Sequence, residues 1–186
     1  MIIYIHGFGT SGQSGKGTLF RAYFKSRGID FIAPSLSYVP ELAITTLEEL
    51  IESYDGKVGL IGSSLGGYYS MYLSEKYGSK AVLINTVIDS DILTCVLGDT
   101  KNYYDNSTFS WRESHLEMLK QYHTNADKIS SENYLLMLQK ADHILDYTKA
   151  LEHLPSVETI LEEGGSHAFD DIERHLGTIE KHLTQN

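Results

Sequence analysis

The sequence predicts an α/β fold, a mostly parallel sheet of about six strands with helices on both faces. Three observations carry this. Short unbroken apolar runs, Ile2–Ile5 and Ala81–Ile84 among them, read as strands buried on both sides. Segments with apolar residues three and four apart separate these runs, and such alternation gives parallel strands joined by crossover helices. A length of 186 residues, 41 % hydrophobic and 22 % charged, suits one domain able to bury that core.

Taken in order, the first strand runs into His6-Gly7-Phe8-Gly9-Thr10-Ser11-Gly12, a glycine-rich loop. A helix is expected from about Ser14, with Leu19, Phe20, Tyr23 and Phe24 on one face and Gly28 as its stop. Residues 30–33 give a second strand, closed by Pro34. Thr45-x-x-Glu48 and Thr46-x-x-Glu49 both have capping-box spacing and predict a helix opening there, marked by Leu47, Leu50, Ile51 and Tyr54. A strand entering residues 57–63 passes into a helix that ends near Gly78, and Ala81–Ile84 is the fourth strand.

Residues 88–133 break the pattern. They carry aromatic residues without clean strand signal, and one or two short helices are expected, for example over 113–122. A long insertion of this kind in a compact domain reads as a lid or binding loop. Alternation then resumes with a strand over 134–138, a helix over 146–151 and a strand over 157–161. Phe169, Ile172, Leu176, Ile179 and Leu183 predict a single amphipathic last helix.

A net charge of −10 argues against nucleic acid or an anionic membrane as partner, since both require a basic face. Cys95 is the sole cysteine, so no disulfide framework is expected. The first residues lack the basic and apolar blocks of a signal peptide, and no apolar run reaches membrane-spanning length; a cytoplasmic location is expected. No spaced cluster of ligating side chains suggests a metal, and no cofactor is expected.

Chemistry concentrates at Gly62-Ser63-Ser64-Leu65-Gly66, the G-x-S-x-G spacing of a nucleophile elbow. A serine presented from a sharp strand-to-helix turn has a strained backbone, and the residues two before and two after it must lack bulk. Ser64 fits this frame; Ser63 does not, because Ile61 and Leu65 flank it. An activated serine needs a base, and the base needs an acid to orient it. Asp142, after the 134–138 strand, and His167, after the 157–161 strand, stand in the chain order serine, acid, histidine. Asp89, Asp91 and Asp146 remain alternatives for the acid. Leu65 N–H and a donor from the first loop, Phe8 or Gly9, are placed to bind an oxyanion.

A competing pattern overlaps the first loop. Gly7-x-Gly9-x-x-Gly12 follows a strand and precedes a helix, as a dinucleotide fingerprint does, with Asp30 as its acid. Asp30 stands at the start of the second strand, whereas a ribose-binding acid belongs at the end. A Rossmann-type cofactor-binding protein is thus the alternative reading, and a non-catalytic interaction protein on the same fold is a third.

Four stretches together resemble the YqiA-like small bacterial esterases: strand–His-Gly-Phe at the N-terminus, Gly-Ser-Ser-Leu-Gly-Gly-Tyr-Tyr at the elbow, Asp-x-x-Leu-Asp-Tyr over 142–147, and Glu-Gly-Gly-x-His-Ala-Phe over 163–169. The resemblance spans nearly the whole chain. It implies a minimal single-domain α/β-hydrolase whose sheet lacks the first two superfamily strands, with order 4-3-5-6-7-8 in superfamily labels. It also implies Ser64 as nucleophile, Asp142 as acid and His167 as base. The activity then expected is cleavage of small-molecule carboxylic esters, with acyl thioesters next. Tyr103, Tyr104 and Trp111, with Phe109 and Tyr122, are the residues of the 88–133 insertion expected to line the substrate pocket, or else to pack the insertion down.

Overall fold

A computed structural model describes residues 1–185. The elements are β1 (Ile2–Ile5), α1 (Gly15–Ser26), β2 (Phe31–Ile32), α2 (Pro40–Glu52), β3 (Gly59–Ser63), α3 (Leu65–Tyr77), β4 (Ala81–Ile84), β5 (Gly98–Lys101), β6 (Thr108–Trp111), α4 (Glu113–Lys120), β7 (Tyr134–Gln139), α5 (Tyr147–His153), β8 (Glu158–Glu162) and α6 (Leu176–Thr184). Six strands form one sheet in the order β2-β1-β3-β4-β7-β8, and every pairing in it is parallel. This is the order that the resemblance implied.

The period of two along each strand decides which face each residue serves. Ile3, Ile5, Leu60, Leu83 and Leu136 point to one side, where they pack with Leu47 of α2, Leu73 of α3, Leu119 of α4 and Ala150 of α5. Ile2, Tyr4, Ile61, Val82 and Leu135 point to the other, against Phe20 and Phe24 of α1 and Ile179 of α6. Both faces of β1, β3, β4 and β7 are therefore covered, which explains their unbroken apolar sequence.

Three elements depart from the sequence reading. α2 opens at Pro40, five residues ahead of the two threonine boxes. Proline suits a first helical turn because its fixed φ and missing N–H cost nothing there. Both threonines consequently lie inside the helix, and Thr46 Oγ1 donates to the Leu42 carbonyl instead of capping. The expected last helix is interrupted. Phe169 and Asp171 take positive φ (58° and 55°), a 3-10 turn covers Ile172–His175, and only then does α6 begin. Phe169, Ile172 and Ile179 still reach one apolar cluster, so the spacing reported a shared face without reporting a continuous helix.

The third departure is in the insertion. β5 and β6 form an antiparallel hairpin, Gly98 opposite Trp111 and Lys101 opposite Thr108. Its first strand reads Gly-Asp-Thr-Lys and is largely exposed, so it has no apolar alternation to detect. Asn102 N–H donates to the Ser107 carbonyl and Asn106 turns through φ +60°, closing the loop.

α3 lies unusually close to the sheet. A Cβ on Gly66 would stand 1.9 Å from the Ile5 carbonyl oxygen, and one on Gly62 would stand 2.3 Å from the Gly66 carbonyl oxygen. Gly66→Ala should therefore destabilise the fold by about 3 kcal/mol or more, since the obstacle is backbone. Gly177→Ala in α6, where an added Cβ meets nothing within 4 Å, should be neutral or stabilising by up to about 1 kcal/mol. Urea denaturation of both variants checks the contrast.

Candidate active site

β3 ends at Ser63 and α3 begins at Leu65, so Ser64 is the entire connection. Its backbone sits at φ 56°, ψ −121°, a region that L-residues occupy only under constraint. Three hydrogen bonds supply that constraint. Ser64 N–H donates to the Ile84 carbonyl, and the Ser64 carbonyl accepts from Gly67 N–H and Val87 N–H. The two glycines of the elbow allow strand and helix to approach closely enough for the turn.

His167 comes from the loop after β8, where Gly164 and Gly165 both have positive φ and turn the chain back over the sheet. Its Nε2 is 3.0 Å from Ser64 Oγ and its Nδ1 is 2.8 Å from Asp142 Oδ2. Asp142 follows β7, and its side chain is only 2 % exposed. Its Oδ1 accepts from Ile144 N–H (2.8 Å) and Leu145 N–H (2.9 Å). Burial pushes this carboxyl up, but the hydrogen bond to His167 and the two amide donors outweigh it, and the net pKa is lowered. The folded state thus holds its proton less tightly than the unfolded chain does. The carboxylate's contribution to stability is complete above the ordinary Asp range and disappears as pH falls through the lowered folded value. The three residues that the sequence singled out are brought into one chain of hydrogen bonds. Two of the three alternative acids have separate work: Asp146 caps α5 by accepting from Thr148 N–H, and Asp89 caps the Ser90–Val96 turn by accepting from Asp91 N–H.

Two residues around His167 were not foreseen. Asn85, just past β4 and at φ 39°, donates its amide to the carbonyls of Ser166 (2.9 Å) and His167 (3.2 Å), and its Oδ1 accepts from Gln139 N–H. Gln139, the last residue of β7, accepts from Ser166 N–H and Asp170 N–H, and donates to the Asp170 carbonyl and to Glu162. Both side chains are buried and fully engaged, so the histidine loop is bolted to the ends of two central strands. A polar residue directly after each apolar run was the only trace in the sequence.

On the other side of Ser64 lies the first loop. A Cβ on Gly7 would stand 3.1 Å from Ser64 Cβ, which places the first loop against Ser64. His6 holds this loop. Its Nε2 accepts from Leu36 N–H, so the proton is on Nδ1, which donates to the Gly7 carbonyl; burial lowers its pKa and keeps the ring neutral. Gly7, Phe8 and Leu65 line a cavity of about 130 Å³ together with Leu36, Tyr38, Tyr69 and Phe109. Ser64 and His167 are not part of its wall, but Gly7, which lies against Ser64, and Leu65, which follows it, both are.

The insertion's aromatics divide. Phe109 lines the cavity, stacked on Tyr38 at 4.9 Å. Trp111 is 1 % exposed and stands behind the wall, its ring 5.0 Å from that of Phe8. Tyr103 and Tyr104 are 76 % and 51 % exposed, outside the cavity lining. Tyr122 packs on Tyr72. Asp30 lies at the amino end of β2, bonded to the Tyr54 hydroxyl, a strand's length from the glycine loop.

A family model described as an uncharacterised protein family, UPF0227, matches residues 1–184. The chain belongs to this family. A UPF0227 protein of Vibrio parahaemolyticus is 26 % identical over 190 residues, covering 97 % of this chain and 98 % of the relative. Among solved structures, mouse alpha/beta hydrolase domain-containing protein 10 superposes with a TM-score of 0.77 at 18 % identity, covering 97 % of this chain and 88 % of that one. A monoacylglycerol lipase of Paleococcus ferrophilus gives a TM-score of 0.74 at 15 % identity, over 100 % and 94 %. At such identities the likeness shows the fold. This UPF0227 chain has the α/β-hydrolase fold, and among the described residues no helix is long and apolar enough to cross a membrane.

Removing the loop's anchor strands buried groups. Gln139→Ala should cost about 1–3 kcal/mol because Ser166 and Asp170 N–H lose their acceptor. Thermal denaturation reads the loss, and the His167 ring signals in an NMR spectrum should broaden as the loop loosens.

Proposed function

We propose that this protein is a serine hydrolase that cleaves small carboxylic esters, and acyl thioesters after them, through an acyl-enzyme. The observation that carries the reading is the continuous relay from Ser64 Oγ through His167 to the buried Asp142 carboxylate.

Ser64 Oγ attacks the acyl carbon while His167 Nε2 takes its proton. Asp142, kept ionised by its lowered pKa, stabilises the imidazolium and fixes the Nδ1–H tautomer of the resting ring. The carbonyl oxygen gains charge and is bound by backbone N–H of Leu65, at the first turn of α3, and of Phe8. His167 then gives its proton to the departing alcohol or thiol, and water repeats the sequence on the acyl group.

The leaving group must depart beside His167, which protonates it. The cavity is lined by the oxyanion loop and not by His167, so it is assigned to the acyl part. Its size is close to that of a space known to hold benzene, roughly six non-hydrogen atoms, and short acyl groups are expected. Phe8, Tyr38 and Phe109 form the apolar wall, Trp111 braces Phe8 from behind, and Tyr103 and Tyr104 sit at the exposed hairpin tip. Asn102, Ser107, Thr108 and Phe109 bring the 88–133 segment into the wall of this pocket. The acidic balance favours a small uncharged substrate over nucleic acid.

Ser64→Ala should remove turnover of short-chain nitrophenyl esters by a factor on the order of 10⁴ or more and abolish labelling by a fluorophosphonate. Undiminished hydrolysis by the folded variant overturns the assignment. Asp142→Asn should cost on the order of 10³-fold or more, whereas Asp89→Asn and Asp146→Asn should cost little, by steady-state kinetics across pH.

A further inference from the structure

The cavity beside Ser64 holds one buried polar side chain with nothing to bind. Tyr69, on the second turn of α3, is 4 % exposed and lines this cavity, yet its hydroxyl has no hydrogen-bond partner among the described residues. The hydroxyl is not sealed in protein either, because Trp111 Nε1 is the only described side-chain atom both fully enclosed and unpaired. The Tyr69 oxygen therefore keeps some open surface, and Tyr69 is one of the residues that line the cavity. Among the other polar side chains in the wall, Asn102 Nδ2 donates to the Thr10 carbonyl, Ser107 donates to Asp105, and Ser37 Oγ accepts from Val39 N–H, while the hydroxyls of Thr10, Tyr38 and Thr108 belong to residues that are not buried. Burial holds the Tyr69 phenol above its ordinary range, so it remains an O–H donor across the working pH.

A buried polar group is tolerated when a partner satisfies it, and in a binding site that partner is a ligand. We propose that Tyr69 is a specificity-determining residue whose hydroxyl donates a hydrogen bond to an acceptor oxygen in the substrate's acyl chain. The preferred substrates are then esters of short oxygenated acids, keto-, hydroxy- or alkoxy-acyl groups, over plain fatty acyl groups of equal length. Apolar wall from Phe8, Tyr38 and Phe109 takes the carbon skeleton while the phenol reads the oxygen. A water molecule would serve the hydroxyl between turnovers, and an acyl chain of methylenes would displace it without replacing its bond. The inference rests on the serine-hydrolase reading.

The test compares isosteric acyl pairs, methoxyacetate against butanoate and 3-methoxypropanoate against pentanoate, as nitrophenyl esters. The kcat/KM ratio of each pair is measured in wild type and in Tyr69→Phe, so that the intrinsic reactivity of the esters cancels between the two proteins. In at least one pair the ratio should fall about tenfold in Tyr69→Phe, and the variant should melt at or above the wild-type temperature, since no bond within the protein is lost. Unchanged ratios in both pairs overturn the role of Tyr69 while leaving the hydrolase reading intact. A lower melting temperature would show the hydroxyl to have a structural partner and overturn it as well. Failure of wild type to turn over any of the four esters, with no labelling of Ser64, overturns both readings together.

Discussion

The structure depends on how closely α3 can approach the sheet. With Ile5 O and Gly66 O nearly touching the positions where Cβ atoms would stand, the helix packs at a distance that only glycine at 62 and 66 permits. That contact sets the turn at Ser64, and the turn sets where its hydroxyl emerges. The histidine loop and the first loop are then arranged around a fixed point. Parallel strands place all these loops at one edge of the sheet, so three residues 78 and 25 positions apart in the chain meet without any long-range device beyond strand order.

Polar satisfaction is what makes the arrangement rigid. The His6 ring bridges two loops, Asn85 and Gln139 bridge three strand ends, and Asp142 accepts from two backbone amides besides the imidazole. Each of these groups is buried, and each would be costly if left open. Their number explains how a loop containing two glycines at positive φ, residues that loosen a chain, can hold a ring within 3.0 Å of its target.

Much of this was legible in the sequence, because the signals are local. An unbroken apolar run is a doubly covered strand, and the elbow spacing has a steric cause. The capping boxes at Thr45 and Thr46 misled because a box is a two-residue coincidence, whereas Pro40 offered a stronger start. The periodicity from Phe169 to Leu183 conveyed which side chains share a cluster, and a 3-10 turn with two left-handed residues can do that as well as a helix. The β5–β6 hairpin was invisible because its exposed strand has no apolar face. With it went the division of the aromatics, since Phe109 and Trp111 share one face of β6 and only their place along the hairpin decides which of them meets the cavity.

The backbone of Ser64 has a consequence for any effort to harden this protein. Its φ of 56° belongs to glycine, and holding a serine there stores strain on the order of 1–3 kcal/mol. Among single exchanges at the elbow, Ser64→Gly relieves that strain most completely, and it removes the hydroxyl. On the proposed mechanism, a library screened on heat resistance alone would therefore enrich silent variants at this position, and the sturdiest survivor would be an inert scaffold. Stability and chemistry are set against each other at one φ angle, so a useful selection must demand both at once.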